Sequence, residues 1–234
     1  MITIEKIKKQ FGNNCIFEQD EKIEIEEGIT YLIGSNGSGK TTFLKILLGI
    51  IPPEQGSVMY EGNSIRSTLD EIGVVFDQPY FFPFLTGIEN LLYFNQISDQ
   101  RVKINRILDL YRQWNIGNEK TIFKNYSMGM KKKLNIVLSL LHEPKYWFLD
   151  EPFNGLDNFS KEKLCSIIEE KKEENRTIII ASHNFESYKL MPDHMLFINR
   201  KKILYFPDIG RGEILKSKNT ISQMISKMIG EEND

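Results

Sequence analysis

The run Gly34-Ser35-Asn36-Gly37-Ser38-Gly39-Lys40-Thr41 fits the pattern G-x-x-x-x-G-K-[ST], and its flanks fit as well. Apolar Ile29-Thr30-Tyr31-Leu32-Ile33 reads as a strand entering the loop, and Thr42-Phe43-Leu44-Lys45-Ile46-Leu47-Leu48 as a helix leaving it. Glycines let a backbone wrap an anion so that successive N–H groups and a helix N-terminus point at it. Gly34, Ser35, Asn36, Gly37, Ser38, Gly39 and Thr42 are expected to form such a cradle. Lys40 is placed to reach β- and γ-phosphates, and the Thr41 hydroxyl to ligate Mg²⁺. The expected ligand is a nucleoside triphosphate.

Outward from this loop, apolar runs alternate with helical stretches, the pattern of an α/β sheet. Period-two alternation at Ile2-Thr3-Ile4-Glu5-Lys6-Ile7 and Ile23-Glu24-Ile25-Glu26 predicts an antiparallel layer. Ser57-Val58-Met59-Tyr60, turning at Glu61-Gly62-Asn63, joins it. Ile72-Gly73-Val74-Val75-Phe76, Tyr146-Trp147-Phe148-Leu149 and Thr177-Ile178-Ile179-Ile180-Ala181 read as buried strands. From about Gly87 to His142 the pattern is helical, and a charged helix spans Lys161 to Glu174. The expected organisation is one domain over 1–234. Residues 1–86 and 143–210 form its core and antiparallel layer, 87–142 an inserted helical lobe, and 211–234 a short amphipathic tail.

A second chemical signal closes the strand at Tyr146. Asp150 and Glu151 stand at its C-terminal end, where open α/β sheets bind ligands. Phosphoryl transfer to water needs a phosphate cradle, a metal anchor and a group that handles the water. Asp150 suits the metal, and Glu151 suits the water.

Composition sets limits on the rest. Among 234 residues, 32 acidic and 30 basic side chains leave a net charge of −2, so no overall field favours nucleic acid or an anionic membrane. Cys15 and Cys165 show no metal-ligand spacing, and two thiols without a signal peptide fit a reducing cytosol. No apolar run approaches the roughly 18 residues that span a bilayer.

Taken in order, these elements resemble the ATP-binding subunit of ABC transporters over essentially the whole chain. Gly34 to Thr41 resembles the first nucleotide motif, and Gln78, before Pro79-Tyr80, the Q-loop glutamine that links metal and water to the helical lobe. Tyr126-Ser127-Met128-Gly129-Met130 resembles the signature sequence, usually L-S-G-G-Q. Asp150-Glu151 follow, then Gly155-Leu156-Asp157 like the D-loop, and His183 like the switch histidine that contacts the γ-phosphate. Phe11-Gly12 sits where an aromatic usually stacks on adenine.

The resemblance implies a P-loop NTPase core, ATP with Mg²⁺ held by Thr41, Gln78 and Asp150, and catalysis by Glu151, His183 and Gln78. It further implies a homodimer with ATP at the interface. There Ser127, Gly129 and Asp157 of one subunit would meet the nucleotide on the other. Separate transmembrane permease subunits would hold the pair on the inner face of the cell membrane. Met128 and Met130 replace a glycine and a glutamine, a variant similar to bacterial export-type subunits. The rival reading is a soluble ABC-type ATPase acting on nucleic acid or ribosomes. Such relatives usually carry two such domains, a long coiled-coil insertion or zinc-binding cysteines, and none is seen in this sequence.

Plainer readings apply elsewhere. Lys131-Lys132-Lys133 reads as a solvated helix face, and His142 and His194 as surface or core histidines. The aromatic run Tyr80-Phe81-Phe82-Pro83-Phe84-Leu85 fits either the core of the helical lobe or a cleft for a membrane partner.

Overall fold

A computed structural model describes residues 1–182, 190–199 and 201–209. His183 and the tail 211–234 lie outside the described residues.

Two sheets enclose the first helix. In the smaller, β1 (Ile2–Phe11) pairs antiparallel with β2 (Asn14–Glu18), β3 (Ile23–Ile25) and β5 (Gln55–Tyr60), and β5 carries β6 (Asn63–Ser64). The larger sheet contains β4 (Gly28–Ile33), β7 (Ile72–Val75), β8 (Tyr146–Asp150), β9 (Thr177–Ala181), β10 (His194–Asn199) and β11 (Lys202–Phe206). Its order is β11-β10-β4-β9-β8-β7, all parallel except β11. Every residue of β4, β8 and β9 is buried. Parallel strands covered on both faces require such near-continuous apolar runs.

Side-chain alternation along β8 divides the core in two. Tyr146 and Phe148 point to the layer holding α1 (Lys40–Leu47) and the antiparallel sheet. Trp147 and Leu149 point the other way, towards α2 (Gly87–Ile97), α3 (Ile104–Gln113), α4 (Met128–Leu140) and α5 (Asn158–Glu173). Polar groups fix both layers. The Tyr60 hydroxyl donates to the Leu47 carbonyl at 2.7 Å, and Trp147 Nε1–H donates to Ser139 Oγ at 3.0 Å. Truncating an aromatic this buried costs about 3–5 kcal/mol, so Trp147 is a principal tie between β8 and α4.

Helix starts follow local sequence. Thr86 and Glu89 form a reciprocal capping box at α2, Ser127 caps α4 and Asp157 caps α5. Because β4 and β8 are parallel and separated only by β9, the loop after β4 and the carboxylates after β8 emerge at the same sheet edge.

Candidate functional site

The glycine loop joins β4 to α1 in a tight curl. A Cβ on Gly34 would run into Ser38 Oγ and come within 2.9 Å of the Ile198 carbonyl oxygen. Gly39 adopts φ 103° as the cap of α1, where a Cβ would also sit 2.7 Å from Ile16 Cγ2. Lys40 Nζ lies inside the curl, donating to the carbonyls of Gly34 at 2.7 Å and Ser35 at 3.1 Å. Burial holds its pKa below the usual lysine value, against the opposing pull of Glu151 and Asp150.

Asp150 ends β8 beneath this loop. Thr41 Oγ1 donates to Asp150 Oδ2 at 3.0 Å, joining the start of α1 to the end of β8. Burial pushes the Asp150 carboxyl above its usual value, and the Thr41 hydrogen bond opposes the shift. Glu151 turns sharply away from the strand with φ 45°, an uncommon conformation for a residue bearing a side chain. Its N–H donates to the Ala181 carbonyl at 2.9 Å, and Ser182 Oγ donates to its Oε2 at 3.1 Å. The glutamate's backbone is held by the last residue of β9 and its side chain by the residue that follows.

A cavity of about 340 Å³ opens between these elements, lined by Ile16, Asn36, Gly37, Gly39, Lys40, Thr41, Thr42, Asp77, Asp150 and Glu151. Its polar lining is a cation, loop N–H groups, the two hydroxyls of Thr41 and Thr42, and three carboxylates. Among the described residues, no group of three His, Cys, Asp or Glu side chains is arranged to hold a metal ion by itself. Mg²⁺ usually takes one or two protein oxygens and fills its octahedron with phosphate and water. The adjacent Thr41 and Asp150 oxygens are hard ligands of the right kind.

Gln78 is not part of this lining. It borders a neighbouring cavity of about 280 Å³ with Pro79, Phe123, Met128, Lys131, Lys132 and Asn154, and only Asp77 of this segment reaches both. The sequence reading passed over Asp77 in favour of the glutamine beside it. The lysine run also differs from expectation. Lys132 is only 5% exposed and faces inward, because α4 turns that side towards β7 and β8. Lys133 pairs with Asp157 at 3.0 Å, and Lys131 lies over the Phe123 ring at 5.4 Å.

Ser127, Gly129 and Asp157 are not part of the lining of the loop cavity. Ser127 Oγ accepts from the Met130 N–H at 3.2 Å, and a Cβ on Gly129 would lie 2.9 Å from the Gly155 carbonyl oxygen. Asp157 accepts from the Ser160 N–H at 2.8 Å; that bond, with the Lys133 ion pair, depresses its pKa to about 2. Phe11 is half exposed at the β1–β2 hairpin, with Lys9 Nζ 5.0 Å from its ring centroid. The cavity receives Ile16 from this hairpin, while Phe11 lies outside its lining.

The aromatic run divides between the two roles considered for it. Phe81 packs inward 5.0 Å from the Phe123 ring, whereas Tyr80 and Phe84 are 74% and 75% exposed. His194 is a core residue; Asp208 N–H donates to its Nδ1 at 3.2 Å, so its Nε2 donates to the Glu27 carbonyl at 3.0 Å. No helix among the described residues is long and apolar enough to cross a membrane.

Comparison with known proteins agrees with this geometry. Residues 20–154 match the family described as ABC transporter. The lantibiotic transport ATP-binding protein SrtF of Streptococcus pyogenes is 36% identical over 207 residues, covering 87% of this chain and 89% of the relative. The bacitracin transport ATP-binding protein BcrA of Enterococcus faecalis is 30% identical over 204 residues, covering 82% of this chain and 64% of the relative. The fold superposes on the dimeric ATP-binding cassette MJ0796, in a post-hydrolysis state bound to ADP and Pi. That match has a TM-score of 0.77 and 19% identity, and covers 91% of this chain and all of the other.

Proposed function

The chain belongs to the ABC transporter family as an ATP-binding, ATP-hydrolysing subunit, and from that premise we propose how its own residues perform the cycle. The observation that carries the reading is the hydrogen bond from Thr41 to Asp150, with Glu151 next along the chain and Lys40 on the facing loop. The loop N–H groups and Lys40 bind the phosphates of ATP. Thr41 and Asp150 would hold Mg²⁺, with Asp77 on the same cavity wall. When bound, the metal neutralises phosphate charge and polarises the γ-phosphoryl group.

Glu151 orients water and takes its proton as the water oxygen attacks the γ-phosphorus. The bond to the β–γ bridging oxygen breaks, and ADP and phosphate leave. His183 is assigned the γ-phosphate contact by resemblance alone, and Phe11 the adenine face. Gln78 borders the helical lobe, where it would relay the state of the site rather than bind metal.

Ser127, Gly129 and Asp157 act in trans. In a homodimer their side would close over the nucleotide of the second subunit, Ser127 offering its hydroxyl and Gly129 a backbone N–H. Hydrolysis then removes the bridging charge and reopens the pair. The exposed Tyr80 and Phe84, on the helical-lobe side of Gln78, suit contact with a helical segment of a separate permease. That association would keep the chain on the cytoplasmic face of a membrane.

Transport of an antibiotic of the lantibiotic or bacitracin kind is the cargo class that the names of the relatives support, and the Met128 and Met130 variant supports the outward direction. The test is a tagged pull-down from detergent-solubilised native membranes. A stoichiometric polytopic membrane protein is the expected companion. Recovery only with ribosomes or nucleic acid would overturn the transport reading and leave the ATPase chemistry standing.

A further inference from the structure

We propose that Lys132 is a positioning residue that sets the backbone of Glu151 and ties it to the segment after β7. Lys132 projects from α4 into the gap between the ends of β7 and β8. Its Nζ lies 3.1 Å from the Glu151 carbonyl oxygen, 3.3 Å from that of Asp77 and 3.4 Å from that of Phe76. The Asp77 carboxylate is 3.6 Å away. An ammonium has three protons to donate, and here all three directions meet main-chain oxygens at the catalytic edge of the sheet. Few lysines are buried this deeply without such partners.

The grip matters because Glu151 occupies a left-handed conformation that its own sequence does not favour. Among the described residues its N–H is held by Ala181, its carboxylate by Ser182, and its carbonyl by Lys132 at 3.1 Å and by the Asn154 N–H at 3.3 Å. The first two come from β9 and the segment following it. Lys132 is the anchor that comes from the helical side, on the same helix whose N-terminus Ser127 caps. A shift of α4 is thereby transmitted to the glutamate and to Asp77 together. Asn135, one turn further on, supplies an internal comparison: its Nδ2 donates to the Phe76 carbonyl at 2.9 Å.

This inference rests on the assignment of Glu151 as the residue that handles water. The experiment compares Lys132→Met, Lys132→Arg and Asn135→Ala in ATP hydrolysis and in equilibrium binding of a fluorescent ATP analogue, each corrected for folded fraction by thermal melting. Lys132→Met is expected to lower kcat by on the order of 10- to 100-fold, the scale of a small misplacement of a reacting group, with nucleotide affinity within about twofold of wild type. Lys132→Arg restores part of the rate, and Asn135→Ala keeps kcat. Should the methionine variant not fold, Lys132→Gln replaces it, with an intermediate kcat expected at unchanged affinity.

Wild-type kcat in folded Lys132→Met, or in folded Lys132→Gln, overturns the proposal. So does a loss confined to nucleotide affinity, or an equal loss of kcat in Asn135→Ala. In a Glu151→Gln background Lys132→Met should change residual hydrolysis no further, and an additive loss would mean it acts elsewhere. Normal hydrolysis by Glu151→Gln alone would instead sink the assignment of Glu151.

Discussion

Thr41 Oγ1 and Asp150 Oδ2 lie 3.0 Å apart, closing the site across two elements that are 109 residues apart in sequence. Asp150 is buried, and burial raises its pKa, so its ionised form is a cost to the folded protein. The sign follows from linkage. A carboxyl whose folded pKa lies above its unfolded value favours folding most at low pH and loses that advantage as pH rises through the folded pKa. Asp150→Asn should therefore raise the melting temperature of nucleotide-free protein near neutral pH while abolishing hydrolysis. Each kcal/mol corresponds to about 2–4 °C at this chain length. The difference from wild type should shrink on acidification, and a variant that melts lower than wild type at neutral pH would contradict this account.

Glu151→Gln keeps an oxygen to accept from Ser182 Oγ but removes the base. Turnover should fall by about 10²–10⁴-fold, the scale of general-base catalysis, with ATP still bound. Size-exclusion chromatography with ATP and Mg²⁺ should show a persistent dimer that disperses when nucleotide is removed. Lys40→Ala gives the opposite pattern, because it removes the cation enclosed by the loop and should abolish ATP binding itself. Isothermal titration of both variants separates the two roles. A Glu151→Gln protein that turns over ATP normally would refute the base assignment.

How far the sequence led can be read from these same residues. The loop, Asp150 and Glu151 were legible because their chemistry depends on residue type and order, and β4, β8 and β9 because buried parallel strands are continuously apolar. Strands β2, β10 and β11 escaped notice. Asn14–Glu18 is short and mixed, and the apolar run in His194–Asn199 has no periodicity to distinguish strand from helix. Gln78 was preferred to Asp77 by analogy with a motif, yet which neighbour faces the cavity depends on how the chain leaves β7. Lys132 was hidden for a related reason. Three consecutive lysines on a helix point in directions about 100° apart, so one can turn inward while the others stay near solvent.

Asp157 offers a pH test of the α5 cap. Its pKa is depressed to about 2 by the Ser160 N–H and the Lys133 ion pair. A carboxylate held below its ordinary value contributes stability above its unfolded pKa and loses it as pH falls through the folded one. The contribution should be complete above about pH 4 and vanish towards pH 2; because the side chain is largely exposed, solvent screening keeps it small. Asp157→Asn retains a capping oxygen and should flatten that part of the acid-melting profile. Asp157→Ala loses the cap as well and should cost about 1 kcal/mol near neutral pH. Identical acid profiles for wild type and Asp157→Asn would remove the charge from the account.

Asp77 and Gln78 differ in the cavities they line. Only Asp77 shares a cavity with Thr41, Asp150 and Glu151, so its carboxylate is the better partner for Mg²⁺ or its bound water. Asp77→Asn should raise the Mg²⁺ concentration needed for half-maximal hydrolysis by about 10–100-fold, the usual effect of losing an outer partner of a metal. The amide retains the shape of the side chain and the backbone carbonyl that Lys132 binds, but it removes the carboxylate 3.6 Å from the buried Lys132 ammonium, so nucleotide-free stability should fall and the titration is read on the folded fraction. Gln78→Ala should leave the Mg²⁺ requirement where it is, because its side chain borders the neighbouring cavity. It should instead weaken the stimulation of hydrolysis by the membrane partner. A Mg²⁺ titration of both variants decides the matter: a shift in Gln78→Ala with none in Asp77→Asn would return the metal contact to the glutamine.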